Sequence, residues 1–129
     1  MIRVFSTKLF HRFARKSSIS DKDLCRAVQQ ILNGLIDADL GSGLLKQRIA
    51  RSGKGKSGGF RTIIAYRNQR MACFLYGFAK NNQDNIDDAD LSRLRDLAAE
   101  ILKLSNDKID RLIADKNLIE VRCHDQTIS

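Results

Sequence analysis

Gly59-Phe60-Arg61-Thr62-Ile63-Ile64-Ala65-Tyr66-Arg67, the link Asn68-Gln69, and Arg70-Met71-Ala72-Cys73-Phe74-Leu75-Tyr76-Gly77-Phe78-Ala79 form the stretch on which the fold turns. Both runs favour extended backbone, and the two-residue link predicts a tight hairpin, although Asn-Gln is weaker turn chemistry than Asn-Gly. A third strand-like run, about Leu44 to Ala50, precedes them across the loop Arg51 to Gly58. Further upstream, the alternation in Ile2-Arg3-Val4-Phe5 predicts a short first strand, followed by a helix from about Thr7 to Lys16. Ser20 is a good N-cap with Asp21 and Asp23 behind it, and Leu24, Val28, Ile31, Leu32 and Leu35 recur at the spacing of one helix face. Residues 34 to 43 are expected to be irregular.

Downstream, the polar run Asn81-Asn82-Gln83-Asp84-Asn85 ends the sheet. Asp87, Asp88 and Asp90 open a third helix with Leu91, Leu94, Ala98 and Ile101 on one face. Ser105 caps a shorter fourth with Ile109, Leu112 and Ile113, and Leu118 to Val121 can form a last extended piece. The expected order is β-α-α-β-β-β-α-α with that optional strand, a small mostly antiparallel sheet with helices before and after it. This is an α+β fold, expected as one domain over residues 1–129.

Charge says more about function. Between Leu40 and Gln83 no acidic residue occurs, while nine basic ones do: Lys46, Arg48, Arg51, Lys54, Lys56, Arg61, Arg67, Arg70 and Lys80. The net charge of +8 divides into +12 over residues 1–83 and −4 over residues 84–129. A basic body of this kind points to nucleic acid or another polyanion. No apolar run approaches the roughly 18 residues that span a bilayer, so no membrane association is expected. The odd cysteine count, with no CxxC and no His at ligand spacing, supports neither a disulfide framework nor a zinc site. Cys25, Cys73 and Cys123 are therefore expected as plain thiols in a reducing cytosol.

Gly55-Lys56-Ser57 matches the end of a nucleotide-binding GxxxxGK[ST] loop, but Ala50 stands where the first glycine belongs and the loop leads into a strand rather than a helix. His11 and His124 lie near opposite ends of the sequence, and the glycine-rich loop holds no acid, so chemistry in the basic region would fall to cations. RNA permits that, because its 2′-hydroxyl is a built-in nucleophile toward the adjacent phosphate. A Lys crowded by other cations can serve as base while an Arg clamps the phosphate. The plainer roles are a phosphate tether for Lys54 and Lys56 and a structural ion pair for Arg61. On a regular last strand Phe74, Tyr76, Phe78 and Lys80 would share a face. Most such aromatics are core, and Tyr76, with its hydroxyl, is the candidate exception.

The run Leu44-Leu45-Lys46-Gln47-Arg48-Ile49-Ala50-Arg51, then Gly53-Lys54-Gly55-Lys56-Ser57-Gly58-Gly59-Phe60-Arg61-Thr62-Ile63-Ile64, and then Phe74-Leu75-Tyr76-Gly77-Phe78-Ala79-Lys80-Asn81 resembles the RelE/HigB-like toxins of bacterial type II toxin-antitoxin systems. The specific part covers about residues 35–86, and the element order extends it over nearly the whole chain. The resemblance implies a concave basic sheet, a ribosome-dependent endoribonuclease (mRNA interferase) that blocks translation in the cytoplasm, and a cognate antitoxin that neutralises it. It implies catalytic roles for Lys54, Lys56 and Arg61, and places Lys80 at the substrate. Arg48, Arg51, Arg67 and Tyr76 complete the expected RNA contacts, with no metal and no cofactor. The sequence departs from RelE where that protein has an Arg after the lysine matching Lys80 and a base-stacking Tyr a few residues later. Those places hold Asn81 and, approximately, Asp87, so stacking would fall to Tyr76 or Phe60. The alternative within the superfamily is a non-nuclease of the same fold, a ParE-like gyrase inhibitor or an RNA-binding protein without catalysis.

Overall fold

A computed structural model describes residues 2–50, 59–79 and 86–123. The chain forms β1 (Arg3–Thr7), α1 (Lys8–Lys16), α2 (Asp21–Leu32), β2 (Ala38–Gly41), β3 (Leu44–Ile49), β4 (Phe60–Arg67), β5 (Met71–Ala79), α3 (Asp88–Leu102), α4 (Asn106–Ala114) and β6 (Leu118–Glu120). The six strands make one sheet in the order β2-β3-β4-β5-β1-β6, antiparallel except where β1 runs parallel to β5. The expected α+β order is thus present, and the terminal strand forms as the antiparallel partner of β1.

Helix starts follow the local chemistry. The Ser20 and Asp23 side chains form a reciprocal capping box at α2, and Thr7, Asp87 and Ser105 each accept a backbone N–H at the starts of α1, α3 and α4. Such caps satisfy donors that helix geometry leaves without partners and are worth about 1 kcal/mol each.

Residues 38–41, expected to be irregular, instead form the edge strand β2. Ser42 and Gly43, with φ of 58° and 81°, make the two-residue turn into β3, the backbone such hairpins require. Ala38 and Leu40 do alternate with the more exposed Asp39 and Gly41, and Leu40 packs against the α3–α4 layer, but four residues with no fully buried position are too short a run to announce a strand. At the β4–β5 hairpin, Arg67 pairs with Met71, so β5 starts one residue later than expected and three residues form the turn. Gln69 takes φ of 57°, its N–H donating to the Tyr66 hydroxyl at 3.3 Å.

Two apolar layers pack on the sheet. Under α1 and α2 lie Phe10, Val28, Leu45, Ile49, Phe60, Ile64 and Phe74, with the Phe10 and Phe74 rings 5.1 Å apart. Gly77 belongs to this face because any Cβ there would run into the Phe13 ring. Under α3 and α4 lie Phe5, Leu44, Ile63, Cys73, Leu75, Phe78, Ala98 and Ile109. Arg3 ties β1 to this side through Asp110 at 2.9 Å and Glu120 at 3.2 Å. Burial alone would lower the Arg3 pKa, but hydrogen bonds and charge from both carboxylates outweigh it and hold it raised.

The structure corrects two further sequence expectations. β5 is not regular: Ile63 faces Tyr76 and Ile64 faces Phe74, which leaves Leu75 as a bulge. The extra residue reverses the parity of everything after it. Phe74 therefore points under α1 and α2, while Tyr76 and Phe78 point to the α3–α4 face. The cysteines are not three plain thiols either. Cys25 and Cys123 are disulfide-bonded with Cα atoms 5.7 Å apart, and only Cys73 is free. Ninety-eight residues separate the pair, and only the antiparallel return of β6 along β1 brings the end of the chain to α2.

Candidate nucleic-acid interface

The α3–α4 layer does not cover the whole of its face. Alternation along β3 puts Lys46 and Arg48 on the same side as buried Leu44, and Arg61 shares the side of buried Ile63. Arg48 stands directly across from Arg61, which stands across from Phe78; the next row back is Lys46, Ile63 and Tyr76. Two arginines as a cross-strand pair repel each other unless something anionic answers them. Gly59 leaves room for one of them: the Arg48 Nε lies 3.3 Å from where its Cβ would be, so a side chain there would crowd that guanidinium.

Arg61 is the more enclosed of the two, its side chain 18% exposed. Among the described residues it pairs with Asp37, whose Oδ2 is 3.9 Å from Nε, a long ion pair. Among the described residues its Nη1 is buried and meets no acceptor. The structural ion pair weighed as the plainer role therefore exists, but it occupies one side of the guanidinium only.

Asp37 is held there by a residue that sequence reading passed over. Gln47 is buried in β3; its Nε2 donates to the Leu35 carbonyl at 2.8 Å and to Gln30 Oε1 at 3.3 Å, and its Oε1 accepts the Asp37 N–H at 3.2 Å. Thr62 Oγ1 donates to the Gln47 carbonyl at 2.8 Å. One glutamine thus fixes α2, the segment before β2 and the centre of the sheet relative to Arg61. The signal was present: Gln47 is the polar residue between Leu45 and Ile49 at the same strand parity. Beside it, Arg48, Asp37, Leu35 and Ile36 line an open groove of about 720 Å³.

Of the aromatic candidates, Tyr76 alone stays partly exposed on this face, its ring 6.1 Å from that of Phe78. Its hydroxyl makes no hydrogen bond among the described residues. Phe60 is no platform for a base, because it is buried on the opposite face against Phe13, edge to face at 5.7 Å.

The structure brings Arg48, Arg61 and Tyr76 to one end of the sheet. It does not bring Arg67 to them. Six residues further along β4, about 20 Å away at strand rise, Arg67 donates to the Leu102 carbonyl at 3.3 Å and lines a separate cavity of about 410 Å³ with Arg3 and Arg70. Arg51, Lys54, Lys56 and Lys80 lie outside the described residues. The chain positions show that the loop carrying the first three joins the ends of β3 and β4 at Arg48 and Arg61, and that Lys80 directly follows β5. Among the described residues no group of three or more His, Cys, Asp and Glu converges as a metal site, and no helix is long and apolar enough to cross a membrane.

The class is thus a small α+β domain with one six-stranded sheet, a helix pair before it and a helix pair after it, and Arg48 opposite Arg61 at one end of that sheet. The chain matches the model of the RelE toxin of the RelE / RelB toxin-antitoxin system over residues 2–121, and it belongs to that family. No curated protein matches it.

Proposed function

We propose that this chain is the toxin of a type II pair that acts as a ribosome-dependent mRNA endoribonuclease in the cytoplasm. The observation that carries this reading is the cross-strand pair Arg48 and Arg61 at the mouth of the glycine-cation loop, in a chain of the RelE family. Two arginines that face each other across neighbouring strands suit the non-bridging oxygens of a phosphodiester. Cleavage then needs no water and no metal: the 2′-oxygen loses its proton and forms a bond to phosphorus, the bond from phosphorus to the 5′-oxygen breaks as that oxygen takes a proton from a lysine ammonium, and a 2′,3′-cyclic phosphate and a 5′-hydroxyl remain.

In this scheme Arg61 stabilises the extra charge of the five-coordinate phosphorus, held for that by Asp37 and Gln47. Lys54 or Lys56 takes the 2′-hydroxyl proton, and the other holds the phosphate. Arg48, Arg51 and Lys80 track the backbone, Arg67 makes a separate and more distant contact, and Tyr76 offers its half-exposed ring to a base. A surface this cationic also calls for an acidic cover in the resting cell, the role of the antitoxin.

The test is purified protein added to a cell-free translation reaction, with mRNA ends mapped by primer extension. New ends are expected only with ribosomes, and the triple variant Lys54→Ala, Lys56→Ala, Arg61→Ala should produce none. Intact mRNA with the wild-type protein would overturn the nuclease reading in favour of a non-nuclease target.

A further inference from the structure

Cys25 is buried in the α2 face that meets the core, and Cys123 follows β6 by three residues. Their proximity does not depend on the sulfur bond. β6 pairs with β1, the Val121 N–H donates to the Val4 carbonyl at 2.8 Å, and buried Val121 packs in the same cluster as Cys25. Backbone pairing alone therefore presents the two thiols to each other, so that closure is an intramolecular event at high effective concentration. The two sulfurs also differ in access: Cys25 is 1% exposed, while Cys123 is partly exposed, which gives an external thiolate one atom to attack. Cys73 cannot compete, being fully buried in the cluster on the other side of the sheet.

We propose that Cys25 and Cys123 form a reversible thiol–disulfide exchange site for low-molecular-weight thiols and disulfides of the glutathione type, which sets the stability of the fold by redox state. In the opening direction a small thiolate attacks the Cys123 sulfur, the S–S bond breaks, and Cys25 leaves as thiolate. A second small thiolate then attacks the first small-molecule sulfur, which releases Cys123 as thiolate and a small-molecule disulfide. Two thiols are oxidised and one protein disulfide is reduced. Closure is the reverse, with the small-molecule disulfide as oxidant. The closed form joins residues 98 apart, nearly the full chain, and ties α2 to the β1–β6 edge while Gln30 holds the same helix to β3. The bond lies on the face away from Arg48 and Arg61, so redox state governs how long the folded protein survives and leaves the cation site unaltered.

The experiment equilibrates the full-length protein in glutathione buffers from fully oxidised to a hundredfold excess of the reduced form. Thiols are then counted by maleimide labelling after denaturation, and the melting temperature is measured. One labelled thiol is expected at the oxidised end and three at the reduced end, with melting lower by roughly 10 °C on reduction. Cys123→Ser should melt like the reduced wild type and ignore the buffer, whereas Cys73→Ser should keep the full response. Three labelled thiols throughout, a bond that excess reduced glutathione leaves closed, or a melting temperature unmoved by its opening would each overturn the proposal.

Discussion

The two faces of the sheet are built to opposite ends. Under α1 and α2 the apolar layer closes over the strands, with Phe10, Phe74 and Phe60 meeting ring to ring or through Phe13 and with glycine at position 77 to admit the helix. On the other face α3 and α4 leave one end of β3, β4 and β5 to arginines and a tyrosine. The closed face supplies rigidity, and the open end spends that rigidity on holding like charges together. Substitutions should therefore separate into those that unfold the protein and those that silence it.

The largest effect on stability belongs to the closed face. Phe74→Ala removes a fully buried ring from the centre of the sheet and should cost about 3–5 kcal/mol, visible as a fall in the denaturant midpoint. That is a large share of the stability of any small domain. If Phe74→Ala melted normally, the bulge at Leu75 that turns this ring inward would be in doubt.

Arg61→Ala tests the open end and should give the converse result. Loss of a preorganised donor aimed at developing charge is expected to lower the cleavage rate by about 10² to 10³-fold. Melting should shift little, because the residue's one ion pair is long and its Nη1 has no acceptor among the described residues. A variant that cleaves normally yet unfolds early would reduce Arg61 to its pair with Asp37.

Gln47→Ala joins the two regions. It strips partners from the Leu35 carbonyl and the Asp37 N–H, which should cost about 1–3 kcal/mol, and it frees Asp37 to move relative to Arg61. Cleavage should fall with stability in this variant alone, by less than in Arg61→Ala, when rate and melting are measured on the same preparation.

Helix starts were legible in the sequence because capping is local: Ser20 with Asp23, Asp87 and Ser105 each act within three residues. The strands were legible from apolar alternation, and the cations gathered at one end of the sheet from charge. What escaped depends on contacts remote in sequence or on a single inserted residue. The Leu75 bulge divides Phe74 from Tyr76 without any change in composition, and β2, whose four residues alternate between partly buried and exposed, is too short a run to stand out. Cys25 meets Cys123 only after β6 has paired. Gln47 was legible in principle, as polarity at an inward position, but its partners Leu35 and Asp37 are fixed by the turn after α2.

Arg67 gives the smallest and most discriminating effect. It shares strand β4 with Arg61 and, by charge alone, counts as an equal RNA contact. Its position at the hairpin end, with one donor already given to the Leu102 carbonyl, separates the two. Arg67→Ala should leave the cleavage rate at saturation within about twofold. It should weaken binding across RNA sequences and reduce the slope of log affinity against log salt by about one. Titration of fluorescent RNA at several salt concentrations, beside single-turnover cleavage, reads both quantities. A loss of cleavage as deep as that of Arg61→Ala would mean that the RNA is gripped along the whole of β4 and that the division between a rigid body and one reactive end is drawn in the wrong place.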